Sequence, residues 1–132
     1  MNRAITEAKI WGTAKHVFSD PNAAVSILET VIGGYCSRHS HAQRVNRFIV
    51  HSGSIDVVEY TEDGEQETAR TWVRPGEVYD VDAGVVHRFE VIQPGLVIEV
   101  YFPAKPGCKV SHDDIQRLDI GGRCISGLRN VL

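Results

Sequence analysis

The chain has 132 residues, the length of one domain, and 42% of them are hydrophobic, the share of a globular fold rather than a disordered one. A formal net charge of −3 with no long Lys/Arg block excludes the basic surface of a nucleic-acid binder or a membrane-surface protein. No apolar run approaches the roughly 18 residues of a membrane span, and residues 1–9 lack the apolar core of a secretory signal, so the expected address is the cytoplasm. Cys36, Cys108 and Cys124 are odd in number and form no C-x-x-C pair, so neither a disulfide framework nor a thiolate zinc site is expected. Cys36 stands three residues before His39, but no third group nearby would orient a thiol–imidazole pair, and packing is the simpler reading.

In chain order, Trp11-Gly12 sits in an N-terminal extension expected to add an edge strand. Short apolar stretches then predict strands at 24–31, 46–51, 54–59, 68–73, 78–81, 88–91 and 96–102. Ser52-Gly53, Glu62-Asp63-Gly64, Pro75-Gly76, Asp82-Ala83-Gly84 and Gln93-Pro94-Gly95 supply the turns between them. Strands of about five residues at near-regular spacing predict an all-β sandwich or barrel, here one domain over 1–132 with its core at about 24–103. Beyond Pro103 the chain turns polar through Lys105-Pro106-Gly107. Residues 113–118 are predicted to form one helical turn, and 121–132 a tail that packs back on the barrel or on a partner.

The chemistry concentrates on histidine. His39 and His41 are two apart, which on a strand places both imidazoles on one face about 6–7 Å apart along the chain. His87 follows a tight turn and opens a predicted strand, where it can face inward as a third ligand. Three neutral imidazoles suit a divalent transition metal such as zinc, nickel, manganese or iron, with positions left open for water or substrate.

Gly33, five residues, His39-x-His41, four residues, Asn46, six residues, Gly53 resembles the first motif of the cupin superfamily. Gly76, five residues, Asp82-x-Gly84, two residues, His87 resembles the second. The resemblance implies a cupin jelly-roll barrel holding one metal on His39, His41 and His87, with Asn46 where the family has a glutamate and Asp82 where it has a proline. An asparagine offers a neutral carbonyl oxygen, which leaves the metal either a stronger Lewis acid or more loosely held. Gln43 is a rival oxygen donor if a bulge turns it inward. A narrower stretch is similar to cupin-type mannose-6-phosphate isomerases and related sugar-phosphate cupins. It is carried by Ser37, His41, Arg44 and Phe48, then Ile98-Glu99-Val100, then Asp113-Asp114-Ile115, Arg117, Asp119 and Gly122-Arg123. It implies a sugar, sugar-phosphate or sugar-acid ligand and isomerase-type chemistry.

Outside the motifs, alternation along 96–102 puts Val97, Glu99 and Tyr101 on one face. If that face lines the barrel, Glu99 is a buried acid suited to general acid–base work; otherwise it pairs with Arg88 or another surface cation. Arg44 and Arg117 are candidates to grip an anionic substrate group, and Phe48 and Tyr79 to stack on a ring. His51 is expected to be exposed, and no role is assigned to His16 or His112. A non-catalytic ligand-binding or sensor protein and a metal-dependent dioxygenase are the alternative functions. Exposed strand edges predict a homodimer, and the expected partner is a small molecule.

Overall fold

The structure is a computed structural model that describes residues 4–124. Its strands are β1 (Ile5–Lys9), β2 (Gly12–Asp20), β3 (Ala23–Thr30), β4 (Gly34–Tyr35), β5 (His39–Ser40), β6 (Arg44–Val50), β7 (Ser54–Tyr60), β8 (Glu67–Val73), β9 (Val78–Val81), β10 (His87–Gln93), β11 (Leu96–Pro103), β12 (Gln116–Arg117) and β13 (Gly122–Arg123). They form two antiparallel sheets. One runs β1-β2-β3-β11-β6-β9. In the other, β7 joins β8 to one side of β10, and the short β5 and β4 line the opposite side, extended by β12 and β13. The all-β jelly roll expected from the sequence is what the chain forms.

Strict alternation builds the core. Along β6, Arg44, Asn46, Phe48 and Val50 are buried while Val45, Arg47 and Ile49 between them are not. Arg47 turns outward to pair with Asp80 at 2.8 Å. Leu28, Phe48, Val50 and Val97 of one sheet meet Ile55, Val57, Phe89 and Val91 of the other. Trp11 closes one end, its ring edge-on to Phe89 with centroids 5.0 Å apart.

The seven predicted strands all lie where strands form. The N-terminal extension forms a full hairpin, β1–β2, rather than a single edge strand. The predicted helical turn at 113–118 is not formed, and no helix occurs among the described residues. A lone helical turn is a costly nucleus with little to stabilise it; here β5 instead draws in Gln116 and Arg117 as β12. The predicted tail does pack back, Gly122 and Arg123 pairing with β4. Its residues 125–132 lie outside the described part.

One turn matters for the site. Gly84 has φ +84° in the turn that Val85 N–H closes on Asp82 C=O at 3.3 Å. A side chain there would be strained. Gly84 N–H also donates to His41 C=O at 2.7 Å, which ties the turn before His87 to the segment carrying His41.

Candidate metal centre and its cavity

His39 on β5 and His87 at the start of β10 stand directly opposite each other in the antiparallel register. His41 follows β5 by one residue. The three rings pack together with centroids 4.5 Å (His39–His87), 4.9 Å (His39–His41) and 5.4 Å (His41–His87) apart, and their candidate ligand atoms lie within 4.8 Å of one another.

Each ring is oriented from behind by a backbone carbonyl on its Nδ1. The acceptors are Ser37 C=O for His39 (2.7 Å), Asp114 C=O for His41 (2.7 Å) and Val85 C=O for His87 (2.9 Å). A carbonyl only accepts, so Nδ1 of His39 and His87 carries the proton and Nε2 keeps its lone pair, the outer-shell arrangement of metal-binding histidines. His41 Nδ1 lies between the Asp114 carbonyl at 2.7 Å and the donor Nη2 of Arg44 at 3.1 Å, and takes the same tautomer when its Nε2 lone pair is given to a metal. Burial holds all three imidazoles neutral: His39 well below its ordinary value, His41 pushed down to about 3 and His87 to about 4. His41 Nε2 is buried with no hydrogen-bond partner.

His87 Nε2 makes the case sharper. It faces Asn46 Oδ1 at 3.1 Å, while its Nδ1 faces Val85 C=O. A neutral ring has one proton for these two acceptors. Asn46 cannot relieve the conflict, because its Nδ2–H donates to Glu99 Oε2 at 3.1 Å. Flipping the amide moves the conflict to Glu99 for as long as that carboxyl is ionised. A cation shared by Nε2 and Oδ1 removes it. The residues therefore fit a divalent metal held on His39, His41 and His87, with Asn46 placed to add an oxygen. Gln43 is not part of this set: it is exposed, and its Oε1 accepts from Lys109 N–H at 3.4 Å.

Glu99 is half-buried and lines the cavity, and burial raises its pKa, opposed by hydrogen bonds from Asn46 and Tyr101. It is not the surface partner of Arg88, which pairs with Glu90 at 2.7 Å. Arg44 is 6% exposed, stacks on the Tyr101 ring at 3.9 Å and donates from Nη1 to Ser111 C=O at 2.9 Å. Its Nη2 lies 3.1 Å from His41 Nδ1, and its Nε has no partner. Among the described residues no carboxylate forms an ion pair with it.

A cavity of about 600 Å³ opens beside the centre. His39, Arg44, Phe48, Glu99 and Tyr101 line one part of it, and Arg117 stands exposed in its wall, opposite His39 in the β12–β5 register. Trp11, Phe18, Leu28, Phe89, Val110 and Ile115 make much of the remainder apolar. Tyr79 is not in the wall; it packs against the core in β9, hydrogen-bonded to Thr71 and Glu59. Cys36 does line the cavity, but burial pushes its thiol up to about 12 and its Sγ accepts from Phe89 N–H at 3.2 Å, so no thiolate pairs with His39.

The sequence reading gave His16 no role, yet it lines the cavity, with Nδ1 2.8 Å from Ser26 Oγ and Nε2 2.7 Å from Glu7 Oε1. The Ala14/His16 alternation in β2 would have placed it inward had the hairpin been predicted. His112 also lines the cavity, and His51 is exposed as expected.

No protein-family model and no curated protein matches the chain. Solved structures do. Oxalate decarboxylase from Bacillus subtilis at pH 4.6 superposes with a TM-score of 0.70 at 16% identity, over 87% of this chain and 30% of that one. CapF with the inhibitor 3-isopropenyl-tropolone superposes with a TM-score of 0.69 at 17% identity, over 91% of this chain and 35% of that one. The chain thus spans about a third of the length of these proteins. At such identities the likeness establishes the cupin fold. The finer similarity to mannose-6-phosphate isomerases rests on the sequence motifs alone.

Proposed function

We propose that the protein is a metal-dependent enzyme that moves a proton on a small carbonyl compound with an oxygen-rich head and an apolar body. The observation that carries this reading is the proton shortage at His87 and Asn46, next to a half-buried carboxyl that opens on the cavity. His39, His41 and His87 would hold the ion, with Asn46 beside them. When bound, it supplies a Lewis acid that polarises a carbonyl and acidifies the neighbouring C–H. All four donors are neutral, so none of its charge is offset by a carboxylate ligand.

The rest falls to the chain's own side chains. Glu99, its pKa raised by burial, takes a proton from the carbon bearing a hydroxyl and returns it to the adjacent carbonyl carbon, while the hydroxyl proton passes between the two oxygens. Tyr101 and Asn46 orient that carboxyl by hydrogen bonds. Arg44 meets negative charge on the substrate head, and its unpartnered Nε is the donor left over for it. Arg117 adds a second cation in the wall, and Phe48 packs on the substrate body. The apolar lining supports an aromatic or aliphatic body over a bare sugar, which narrows the carbohydrate expectation. We place the protein in the cytoplasm as a homodimer, which size-exclusion mass tests. No helix among the described residues is long and apolar enough to cross a membrane.

The test is conversion of 2-hydroxy-2-phenylacetaldehyde to 2-hydroxyacetophenone by zinc-, nickel-, manganese- or iron-loaded protein, followed by proton NMR. Metal-dependent turnover that Glu99→Gln abolishes supports the reading. Tight binding without turnover supports the non-catalytic alternative, which the neutral Asn46 favours. No metal binding by the wild type overturns both.

A further inference from the structure

After β11 the chain crosses the end of the barrel as a strap over residues 104–124. It is pinned at several points: Ala104 N–H to Gln43 C=O (2.9 Å), Val110 N–H to Pro21 C=O (2.8 Å), Leu118 N–H to Arg38 C=O (2.9 Å), and Asp119 to the Arg38 amide and Nε (both 2.7 Å). Between these pins, Val110, His112, Ile115 and Arg117 form part of the cavity wall.

Asp114 stands in the middle of the strap and makes three contacts with one short segment. Its Oδ1 accepts from Ala42 N–H at 2.8 Å, its Oδ2 from Gln43 N–H at 2.9 Å, and its backbone C=O from His41 Nδ1–H at 2.7 Å. The carboxylate grips the two amides that follow His41, and the carbonyl is the acceptor that His41 Nδ1–H needs, closer to that nitrogen than the competing donor Arg44 Nη2 at 3.1 Å. The opposite ring atom, His41 Nε2, is the buried nitrogen without a partner.

We propose that Asp114 is a positioning residue of the metal centre, and that through it metal occupancy and closure of the strap over the cavity become one coupled event. His41 can present its Nε2 lone pair inward only while Nδ1–H has an acceptor, and that acceptor belongs to the strap. A bound ion fixes His41 and so favours the docked strap; the docked strap favours the ion by the same factor. Loss of such an outer partner lowers metal affinity by roughly 10- to 100-fold. The ion at one end of the cavity thereby controls the wall along its side. The inference rests on the metal reading of the three histidines.

Zn²⁺ alone is the probe. Its affinity is measured by competition with a chromophoric chelator, and the strap is read by limited trypsin cleavage after the exposed Lys109 and Arg117, with cleavage after Lys9 as the reference site. In the wild type, saturating Zn²⁺ should slow cleavage at Lys109 and Arg117 by about tenfold or more and leave Lys9 unchanged. Asp114→Ala keeps the backbone C=O but releases the carboxylate's grip on Ala42 and Gln43 that seats this carbonyl on His41. It should weaken Zn²⁺ by roughly tenfold, the lower end for an outer partner, and lose protection by the same factor, with Asp114→Asn intermediate because it keeps one acceptor oxygen. A merely structural role would speed cleavage equally with and without Zn²⁺ and leave the affinity alone. Unchanged cleavage in the wild type on adding Zn²⁺, which needs no variant, overturns the coupling. If the wild type binds no Zn²⁺, or His87→Ala binds it as well, the metal reading itself fails, and the two failures are distinct.

Discussion

Replacing Arg44 by methionine separates stability from ligand binding. Arg44 is buried, and the contacts of its guanidinium are one carbonyl, one imidazole and the Tyr101 ring. Arg44→Met gives up a charge-assisted hydrogen bond to Ser111, worth roughly 1.5–3 kcal/mol, and stacking on Tyr101, worth about 2 kcal/mol when desolvated. It also ends the cost of holding an uncompensated cation away from water, several kcal/mol. The unbranched thioether refills most of the vacated volume. These effects nearly cancel, so folding stability should change by less than about 2 kcal/mol, or roughly 10 °C in melting temperature. Mandelate, which joins a chelating hydroxy-carboxylate to an aromatic ring, should bind the zinc-loaded variant at least ~30-fold more weakly, since unpairing a buried charge contact costs roughly 2–5 kcal/mol. Scanning calorimetry and titration calorimetry read the two quantities. A melting temperature lowered well beyond that range with mandelate affinity unchanged would make Arg44 a structural strut and refute the reasoning.

The metal-free protein should weaken in acid. His39, His41 and His87 have folded-state pKa values below the ordinary 6.5, with His41 at about 3 and His87 at about 4, so the unfolded chain takes up protons first. Stability is full above about pH 6.5 and falls by ~1.4 kcal/mol per pH unit for each histidine as the pH drops toward 4; urea midpoints that stay flat from pH 7 to 4.5 would contradict it. Cys36, with its thiol pushed up to about 12, should resist iodoacetamide at pH 8 in the folded protein and react once it unfolds, while the partly exposed Cys124 reacts in both. Peptide mass mapping distinguishes them. Phe48→Ala should cost about 3–5 kcal/mol by leaving a cavity under Phe89 and His87, and an equilibrium urea titration showing less than ~1 kcal/mol would show that neighbours collapse into the space.

The barrel was legible because apolar alternation and turn residues recur along the middle of the chain. Ser52-Gly53 and Asp82-Ala83-Gly84 mark turns that the backbone takes with Gly53 and Gly84 at positive φ. The short β4, β5, β12 and β13 left no periodic signal, being two residues long each and formed by pairing rather than propensity. The three clustered histidines were visible by spacing. Their orienting partners were not: Asp114 reaches His41 across 73 positions, and nothing local to either residue announces the contact. Asn46 was legible as the fourth motif position, but its contacts with His87 and Glu99 depend on three strands meeting. Gln43 was misjudged as a rival ligand because Arg44, the next residue, takes the inward direction and alternation sends Gln43 to solvent.

His39 and His87 belong to one sheet, whereas Asn46, Glu99 and Tyr101 rise from β6 and β11 of the other. On the proposed reading, the imidazoles that would hold the ion and the acid that would move the proton are thus separate parts facing each other across the sandwich, with Asn46 reaching from the second sheet toward the ion. On that reading, substitutions along β11 would redirect the proposed chemistry without loosening the ion, and substitutions along β10 would retune the ion without moving the acid. A barrel divided this way is open to change one half at a time, and a laboratory search for new activity should begin at positions 99 and 101, which line the cavity.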